Sequence, residues 1–141
     1  MNQLQPAVAK SLAAWHKMLA EKNLSALPEL VNPDAVFRSP MVYKPYLSAQ
    51  AVVLILNTAF GVFENFTYHR ELASDDGLNV VLEFSANVGD KQLKGIDMIQ
   101  FNADGEIVEF EVMIRPMSGL QALAQEMGAR LAHVLPAFKK A

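Results

Sequence analysis

The sequence contains no cysteine, which excludes a disulfide scaffold, thiolate metal ligands and thiol catalysis. Glycine and proline are also sparse, with seven of each in 141 residues, too few for a collagen-like or low-complexity chain. Basic residues are not in excess, since the net charge is −3 and the pI is near 5.6. We therefore expect no nucleic-acid partner, because nucleic acids are bound by a basic face.

Long hydrophobic runs are missing as well. The longest uncharged stretch, residues 45–63, is nominally long enough to cross a bilayer, but it includes Pro45, Asn57 and Gly61. Its continuously apolar part is only residues 51–56, which favours a buried helix. No basic segment precedes an apolar core near the N-terminus, so the sequence indicates no secretory signal. We expect a cytoplasmic protein without a membrane partner.

What is present is a large apolar fraction, 52% of the residues, with a mean hydropathy of +0.16. A chain of this length and composition can bury one core, so that we expect a single domain over residues 1–141. The mean hydropathy is high for a small soluble chain. It predicts either a large apolar interface or an apolar cavity.

Periodicity gives the order of elements. Apolar residues at Val8, Leu12, Trp15 and Leu19 follow Pro6 and lie on one face of a helix. The rest of the pattern predicts a short helix at 23–31, a strand at 35–39, a loop at 41–47, a helix capped by Ser48, strands at 66–72, 79–88, 92–101 and 106–115, and a last helix from Leu120 to Val134, ended by Pro136. This order predicts an α+β fold, one curved antiparallel sheet with helices on its concave side.

The two last predicted hairpins assign side chains to the faces of the sheet. A loop at 102–105 places Asp97 opposite Phe110. A turn at 89–90 places Leu82 opposite Asp97. Since opposed residues point to the same side, one face collects Val80, Leu82, Phe84, Ala86, Leu93, Asp97, Ile99, Phe101, Val108, Phe110, Val112 and Ile114. The other face collects Glu83, Lys94, Ile96, Met98, Gln100, Glu109, Glu111, Met113 and Arg115.

Asp97 is therefore a single carboxyl group within an apolar face. A register slip of one residue would turn it outward but would bury Lys94 and Glu109, which costs more. Loss of hydration raises the pKa of such a carboxyl, and groups of this kind are frequent at functional sites. The alternative is a structural Asp97 that is satisfied by a backbone amide or by Trp15, Tyr68 or His69.

Several of these residues together resemble the nuclear transport factor 2-like superfamily. They are Trp15, residues 34–40 (DAVFRSP), residues 95–97 (GID) and residues 101–108 (FNADGEIV). Within that superfamily the chain resembles the SnoaL-like domains and, at particular positions, ketosteroid isomerase, over residues 7–116. The resemblance implies a cone-shaped α+β fold, a deep apolar pocket and a homodimer that packs through the sheet.

The resemblance to the isomerase extends to one of its three site positions. The buried, protonated Asp that donates to the substrate oxyanion falls on Asp97. The oxyanion Tyr falls on Trp15, which is only a donor, and the general-base Asp falls on Ser39, which is no base at neutral pH. This pattern argues against steroid isomerisation and leaves a ligand pocket in the same place.

We predict a site that binds a small hydrophobic molecule, with Asp97 as the candidate catalytic residue. The candidate ligand-binding residues are Trp15, Phe37, Ser39, Tyr43, Tyr46, Tyr68, Leu82, Phe84, Asp97, Phe110 and Val112. Tyr43 and Tyr46 line an entrance or simply pack. Alternation along the strand lets only one of Tyr68 and His69 face the site, and if Phe66 and Tyr68 point inward, His69 points outward. No cofactor is expected, and His16, His69 and His133 have no metal-ligand spacing.

Two functions remain open at this point. One is a binding protein for an apolar ligand, and the other is an acid–base enzyme (isomerase, cyclase or hydratase) that acts on a hydrophobic substrate through Asp97. A second ionisable group near Asp97 would favour the enzyme. Exposed Ile96, Met98 and Met113 on the outer face independently predict a homodimer through the sheet.

Overall fold

The structure is a computed structural model that describes residues 4–132. Its helices are α1 (Pro6–Ala20), a 3₁₀ turn (Leu27–Leu30), α2 (Ala49–Val62) and α3 (Met117–Leu131). Its strands are β1 (Val31–Arg38), β2 (Tyr46–Leu47), β3 (Glu64–Ala73), β4 (Asn79–Val88), β5 (Lys91–Phe101) and β6 (Ile107–Arg115). The predicted order of elements is confirmed with two exceptions: the second helix is reduced to a single turn, and the predicted loop at 41–47 contains the short strand β2. The predicted ends of the last helix, Val134 and Pro136, lie outside the described residues.

The first helix forms where the apolar spacing predicts it. Pro6 stands in its first turn, where a missing N–H costs nothing, and Val8, Leu12 and Trp15 are buried along one face. Met18 is buried on the same face, whereas the predicted Leu19 is only partly buried. This face holds Trp15 against the sheet.

The apolar stretch at 51–56 is a buried helix, as predicted. Ser48 caps α2 by accepting the amide hydrogen of Ala51 at 3.3 Å, which satisfies one of the free donors of the first turn. Val52, Ile55 and Leu56 are buried in the core. No helix within residues 4–132 has both the length and the apolar character needed to span a bilayer.

The six strands form one sheet in the order β2-β1-β6-β5-β4-β3. The prediction of a purely antiparallel sheet is wrong at one place, because β1 runs parallel to β6. These two strands lie far apart in sequence. Whether β1 runs parallel or antiparallel to the sheet depends on which strand it pairs with, and the alternation of residues within a strand does not reveal its partner.

The predicted register is correct between β4 and β5, where Leu82 lies opposite Asp97. Between β5 and β6 it is wrong by two residues, since Asp97 lies opposite Val112 and not Phe110. The error has two causes of one residue each. Phe101 pairs with Ile107, which makes the turn one residue longer than predicted, and the register shifts by one more residue at Val108.

A shift of two residues preserves the face of every side chain beyond the irregularity. Phe110 is therefore buried and Val112 half-buried on the inner face, as predicted. The exception is Val108, which is only partly buried, while Ile107 is buried in its place. The α+β class, with helices packed against one curved sheet, is confirmed.

Candidate functional site

Asp97 lies in the middle of β5 and points into the core. It is 3% exposed, and its direct cross-strand neighbours are Leu82 on β4 and Val112 on β6, neither of which has a polar side chain. Gly95, two residues earlier on the same face, leaves room for the ring of Phe84. A Cβ at Gly95 would lie 2.8 Å from that ring and 2.3 Å from the carbonyl oxygen of Met113. The strand thus places one carboxyl group in an apolar environment.

A chain of hydrogen bonds connects this carboxyl to two other elements. The hydroxyl of Tyr68 on β3 donates to Asp97 Oδ2 at 2.6 Å. The indole Nε1–H of Trp15 on α1 donates to Tyr68 Oη at 2.9 Å. Trp15 and Asp97 are 1% and 3% exposed, whereas Tyr68 between them is half-buried. The contact of Asp97 with Trp15 is therefore indirect and passes through Tyr68.

The other carboxyl oxygen, Oδ1, makes no hydrogen bond with any residue in the range 4–132. Within this range, however, no buried polar side-chain atom lacks a partner. Asp97 as a whole keeps 3% of its surface exposed. The two oxygens of one carboxyl thus differ, because Tyr68 holds Oδ2, whereas Oδ1 has no hydrogen-bond partner among residues 4–132.

Burial controls the protonation of this group. Desolvation raises the pKa of Asp97 to about 7, and the hydrogen bond from Tyr68 opposes this increase. The pKa of Tyr68 lies well above its ordinary value, first because the phenol is buried and next because Asp97 is close. Near neutral pH Asp97 therefore exists in both protonation states, while Tyr68 keeps its proton.

Aromatic rings surround the hydrogen-bonded chain. Phe66 packs against Tyr68 and against Phe84, with ring centroids 4.9 Å apart in both pairs. Phe60 on α2 contacts Phe66 at 4.8 Å and Trp15 at 5.6 Å. Phe60 was not predicted as a site residue, because α2 is apolar on nearly all sides and its pattern does not reveal which face meets Trp15. The three-residue spacing of Phe60 and Phe63 is the sequence feature that could have indicated this contact.

Phe110 connects this group to β1. Its ring lies 5.5 Å from Trp15 and 6.1 Å from Phe37. The structure therefore brings together most of the residues predicted for the site, namely Trp15, Phe37, Tyr68, Leu82, Phe84, Asp97, Phe110 and Val112.

Three predicted ligand-binding residues lie differently. Tyr43 is 99% exposed, so the alternative that it simply packs is wrong. Tyr46 is 5% exposed and lies opposite Phe37 at the edge of the sheet. Ser39 is half-buried, and its hydroxyl accepts the amide hydrogen of Met41 at 3.0 Å. Their contact with a ligand stays a prediction.

The histidines lie away from the carboxyl. His69 is exposed, as predicted, and forms a hydrogen bond with Ser85 at 2.8 Å. His16 pairs with Glu71 at 3.1 Å, a contact between α1 and β3 that the sequence did not predict. His133 lies outside the described residues. Across the part of the chain that the structure describes, no cluster of His, Asp and Glu has the arrangement of a metal site.

The comparisons with known proteins agree with this architecture. The model of the SnoaL-like domain family matches residues 12–110. A steroid delta-isomerase from Pseudomonas aeruginosa is 61% identical, with a TM-score of 0.92 over 96% of this chain and 99% of its own. An uncharacterised bacterial protein with a cystatin-like fold from Silicibacter pomeroyi is 28% identical, with a TM-score of 0.85 over 96% of each chain.

A more distant similarity identifies the fold alone. An NTF2-like protein of unknown function from Mesorhizobium loti is 17% identical, with a TM-score of 0.67 over 79% of this chain and 93% of its own. No curated protein matches the sequence. The expected nuclear transport factor 2-like fold is confirmed.

Proposed function

The chain belongs to the SnoaL-like domain family, and from this premise we propose that it binds a small apolar molecule that carries an oxygen atom. Asp97 meets that oxygen through Oδ1, and the aromatic side chains contact the apolar remainder. The observation that carries the proposal is the difference between the two carboxyl oxygens. Oδ2 is bound by Tyr68, whereas Oδ1 has no partner among residues 4–132.

The surroundings of Asp97 support an apolar ligand. Leu82 and Val112 flank the carboxyl, and Phe66 and Phe84 stack nearby with an interplanar angle of 24°. A ligand beside these side chains exchanges water for apolar contact, which is the main source of affinity in small-molecule sites. One polar group in such an environment then determines the orientation of the ligand.

A titration of Trp15 fluorescence tests the proposal. Trp15 is the only tryptophan in the sequence and contacts Tyr68, Phe60 and Phe110. We expect a steroid ketone to change its emission saturably, and we expect the matched steroid hydrocarbon to bind at least tenfold more weakly. Equal binding of ketone and hydrocarbon at pH 6 would contradict a role for Asp97 Oδ1.

The control variant is Asp97→Asn, which keeps the volume and the acceptor for Tyr68 but cannot titrate. Wild-type affinity for the ketone is expected to fall as the pH rises through about 7, because the neutral carboxyl donates and the carboxylate does not. The Asn variant is expected to bind with no such pH dependence. The same pH dependence in both proteins would assign it to another group.

A second candidate is acid–base isomerisation. It is favoured by the 61% identity to a steroid delta-isomerase and by a carboxyl that titrates near neutral pH. Moving a double bond requires a base that takes a proton from one carbon and returns it to another. Ser39, at the position of that base in the resemblance, is occupied with the amide of Met41 and has no carboxylate.

Ultraviolet absorbance tests this candidate directly, with a steroid in which one saturated carbon separates the ketone from a carbon–carbon double bond. Formation of the conjugated enone that disappears in Asp97→Asn would support isomerisation. Binding of the same steroid without turnover would support the binding function alone. Ser39→Asp introduces a carboxyl at the base position, and turnover gained only by that variant would show that the wild-type chain lacks a base.

We also propose a homodimer through the outer face of the sheet. Met98 and Met113 are 38% and 46% exposed, and Met113 lies opposite Ile96 in the centre of that face. At one end of this face Lys94 lies opposite Arg115 and pairs with Glu83, and at the other end Glu109 pairs with Arg38. The charges at both ends are thus partly compensated within one chain, and the exposed methionines in the centre carry the proposal.

Light scattering tests this assembly. We expect a particle of twice the 15.5 kDa chain mass for the wild type. Met98→Glu should give the single-chain mass, and Met117→Glu, which changes a 73% exposed residue of α3, should leave the dimer intact. A wild-type particle of 15.5 kDa at micromolar concentration would contradict the proposal.

A further inference from the structure

We infer that the outer face of the sheet holds a second ligand site, which binds a small organic carboxylate with an apolar body, such as a medium-chain fatty acid. The site is a cavity of about 410 Å³ that extends from β3 to β6. Its residues on β5 include Ile96, which points away from the inner face because it neighbours Asp97 on the strand. Neither Asp97 nor the aromatic side chains around it line this cavity, so the inference is independent of the function proposed above.

Positive charge surrounds this cavity. Lys94 on β5 lies directly opposite Arg115 on β6, and like charges in this arrangement repel each other. Arg70 on β3 is a third cation at the cavity, and Glu83 on β4 is the carboxylate among the lining residues. At neutral pH three cations and one carboxylate leave two net positive charges, which a bound anion compensates.

Glu83 holds two of these cations in fixed positions. Arg70 Nε and Nη2 donate to its carboxylate at 2.7 and 2.8 Å, and Lys94 Nζ lies 2.9 Å from Oε2. Glu83 is only 8% exposed, whereas the side chains of Arg70 and Lys94 are 77% and 48% exposed, so their remaining donors are accessible from solvent. The two cations are thus positioned before a ligand arrives, which reduces the entropy lost on binding.

Arg115 is the cation that remains available for a ligand. It is exposed, and its guanidinium forms no hydrogen bond or ion pair with any residue in the range 4–132. Glu111, on the same face of β6, lies four residues earlier, roughly 13 Å away along a strand. A guanidinium presents two parallel N–H groups that match the two oxygens of a carboxylate. We therefore assign the carboxylate of the ligand to Arg115.

The floor of the cavity is apolar and selects among anions. Ile96 and Met113 lie opposite each other in the lining, and Met113 is 46% exposed. An inorganic anion on Arg115 leaves these two side chains in contact with water, whereas the alkyl chain of a carboxylate covers them and gains affinity from apolar contact. The combination of cations and an apolar floor favours a fatty acid over phosphate or sulfate.

A second copy of this chain is the competing occupant, because Ile96 and Met113 also belong to the face proposed for the dimer. The carboxylates that β4, β5 and β6 direct to this face are Glu83, Glu109 and Glu111. Glu83 and Glu109 are already paired with cations of their own chain. A second copy therefore offers one unpaired carboxylate to two net positive charges, and this imbalance favours a small anion as the occupant.

NMR of protein labelled with ¹³C in the methionine methyl groups tests the inference, with octanoate as the probe. The signal of Met113, assigned through its loss in Met113→Leu, reports the outer cavity, whereas the fluorescence of Trp15 reports the inner site. We expect octanoate to shift the Met113 signal saturably at pH 7. Octanol, which lacks the charge, and inorganic phosphate, which lacks the alkyl chain, are expected to bind about tenfold more weakly or worse.

Arg115→Gln is the decisive variant, and Arg38→Gln is its matched control. Both remove one positive charge from the outer face, but Arg38 pairs with Glu109 and does not line the cavity. We expect Arg115→Gln to weaken octanoate binding by about tenfold or more and Arg38→Gln to leave it unchanged. Asp97→Asn is also expected to leave the Met113 titration unchanged, so the test is separate from that of the proposed function.

Equal losses in Arg115→Gln and Arg38→Gln would overturn the inference, since net charge and not the cavity would then attract the anion. A Met113 signal that stays in place while Trp15 fluorescence changes would also overturn it, because octanoate would then occupy the inner site. Met98→Glu, expected to be a single chain, separates the anion from a second copy. Binding of octanoate to this variant but not to the wild type would show that a second copy covers the cavity, and would overturn the site.

Discussion

The two faces of the sheet each bury one carboxyl group, and the two groups behave in opposite ways. Asp97 on the inner face and Glu83 on the outer face belong to neighbouring cross-strand pairs, since Leu82 lies opposite Asp97 and Glu83 opposite Ile96. Both are nearly inaccessible, at 3% and 8% exposure. Burial raises the pKa of Asp97, whereas the pKa of Glu83 lies below its ordinary value.

The difference is caused by the partners of the two groups. Arg70 donates two hydrogen bonds to Glu83, at 2.7 and 2.8 Å, and Lys94 forms an ion pair with it at 2.9 Å. Asp97 has a neutral phenol as its partner and apolar side chains as its neighbours. Nearby cations keep a buried carboxyl ionised, whereas burial without cations shifts a carboxyl toward its neutral form.

The largest expected effect is the difference in stability lost when a side chain is truncated on the inner face and on the outer face of the sheet. Phe84→Ala removes a ring that is 1% exposed and stacks on Phe66, so that we expect a loss of roughly 3–5 kcal/mol in the free energy of unfolding. Leu72→Ala on β3 changes a side chain that is 61% exposed and should cost within about 0.5 kcal/mol. Urea unfolding of both variants measures this contrast, and equal losses would contradict it.

The next effect separates the two carboxyls by their response to pH. Folded Asp97 holds its proton up to about pH 7, whereas the unfolded chain releases it near 4, so stability falls as the pH rises through this window. Asp97→Asn removes this dependence. We expect the variant to gain up to about 4 kcal/mol relative to the wild type between pH 4 and 8.

Thermal unfolding of wild type and Asp97→Asn at several pH values measures this gain. The acid side chains other than Asp97 serve as an internal reference, because they are present in both proteins. A constant difference between the two proteins over the whole range would mean that Asp97 titrates normally.

A smaller effect of opposite sign is expected at Glu83. Its lowered pKa means that its stabilising contribution is present above the ordinary value and is lost as the pH falls through the folded value. Glu83→Gln should therefore lower the melting temperature at pH 7 and have little effect in strong acid. The loss is limited because Arg70 is 77% exposed and recovers solvation. A stabilised Glu83→Gln at pH 7 would show that the cations do not compensate the burial.

Much of the fold follows from local patterns in the sequence. Pro6, the spacing of Val8 to Trp15 and the cap at Ser48 are local signals, and they predict α1 and α2 correctly. The inward direction of Asp97 also follows from one tight turn at 89–90, because a wrong face would bury charges.

The remaining features depend on contacts between distant segments. The shift at Val108 moves the register of β6, and nothing in the alternation of residues marks it. The hydrogen bond between Trp15 and Tyr68 joins residues 53 positions apart, and it depends on how α1 docks on β3. The sequence therefore identifies the candidate residues, and the structure determines which of them touch.

The most direct test of the account is the titration of the Asp97 carboxyl carbon by NMR in the wild-type protein. The arrangement described here predicts a midpoint near 7, with the assignment confirmed by the loss of that signal in Asp97→Asn. A midpoint near the ordinary value of about 3.9 would contradict it, because Asp97 would then be a hydrated or cation-paired carboxylate and not the neutral donor of an apolar site.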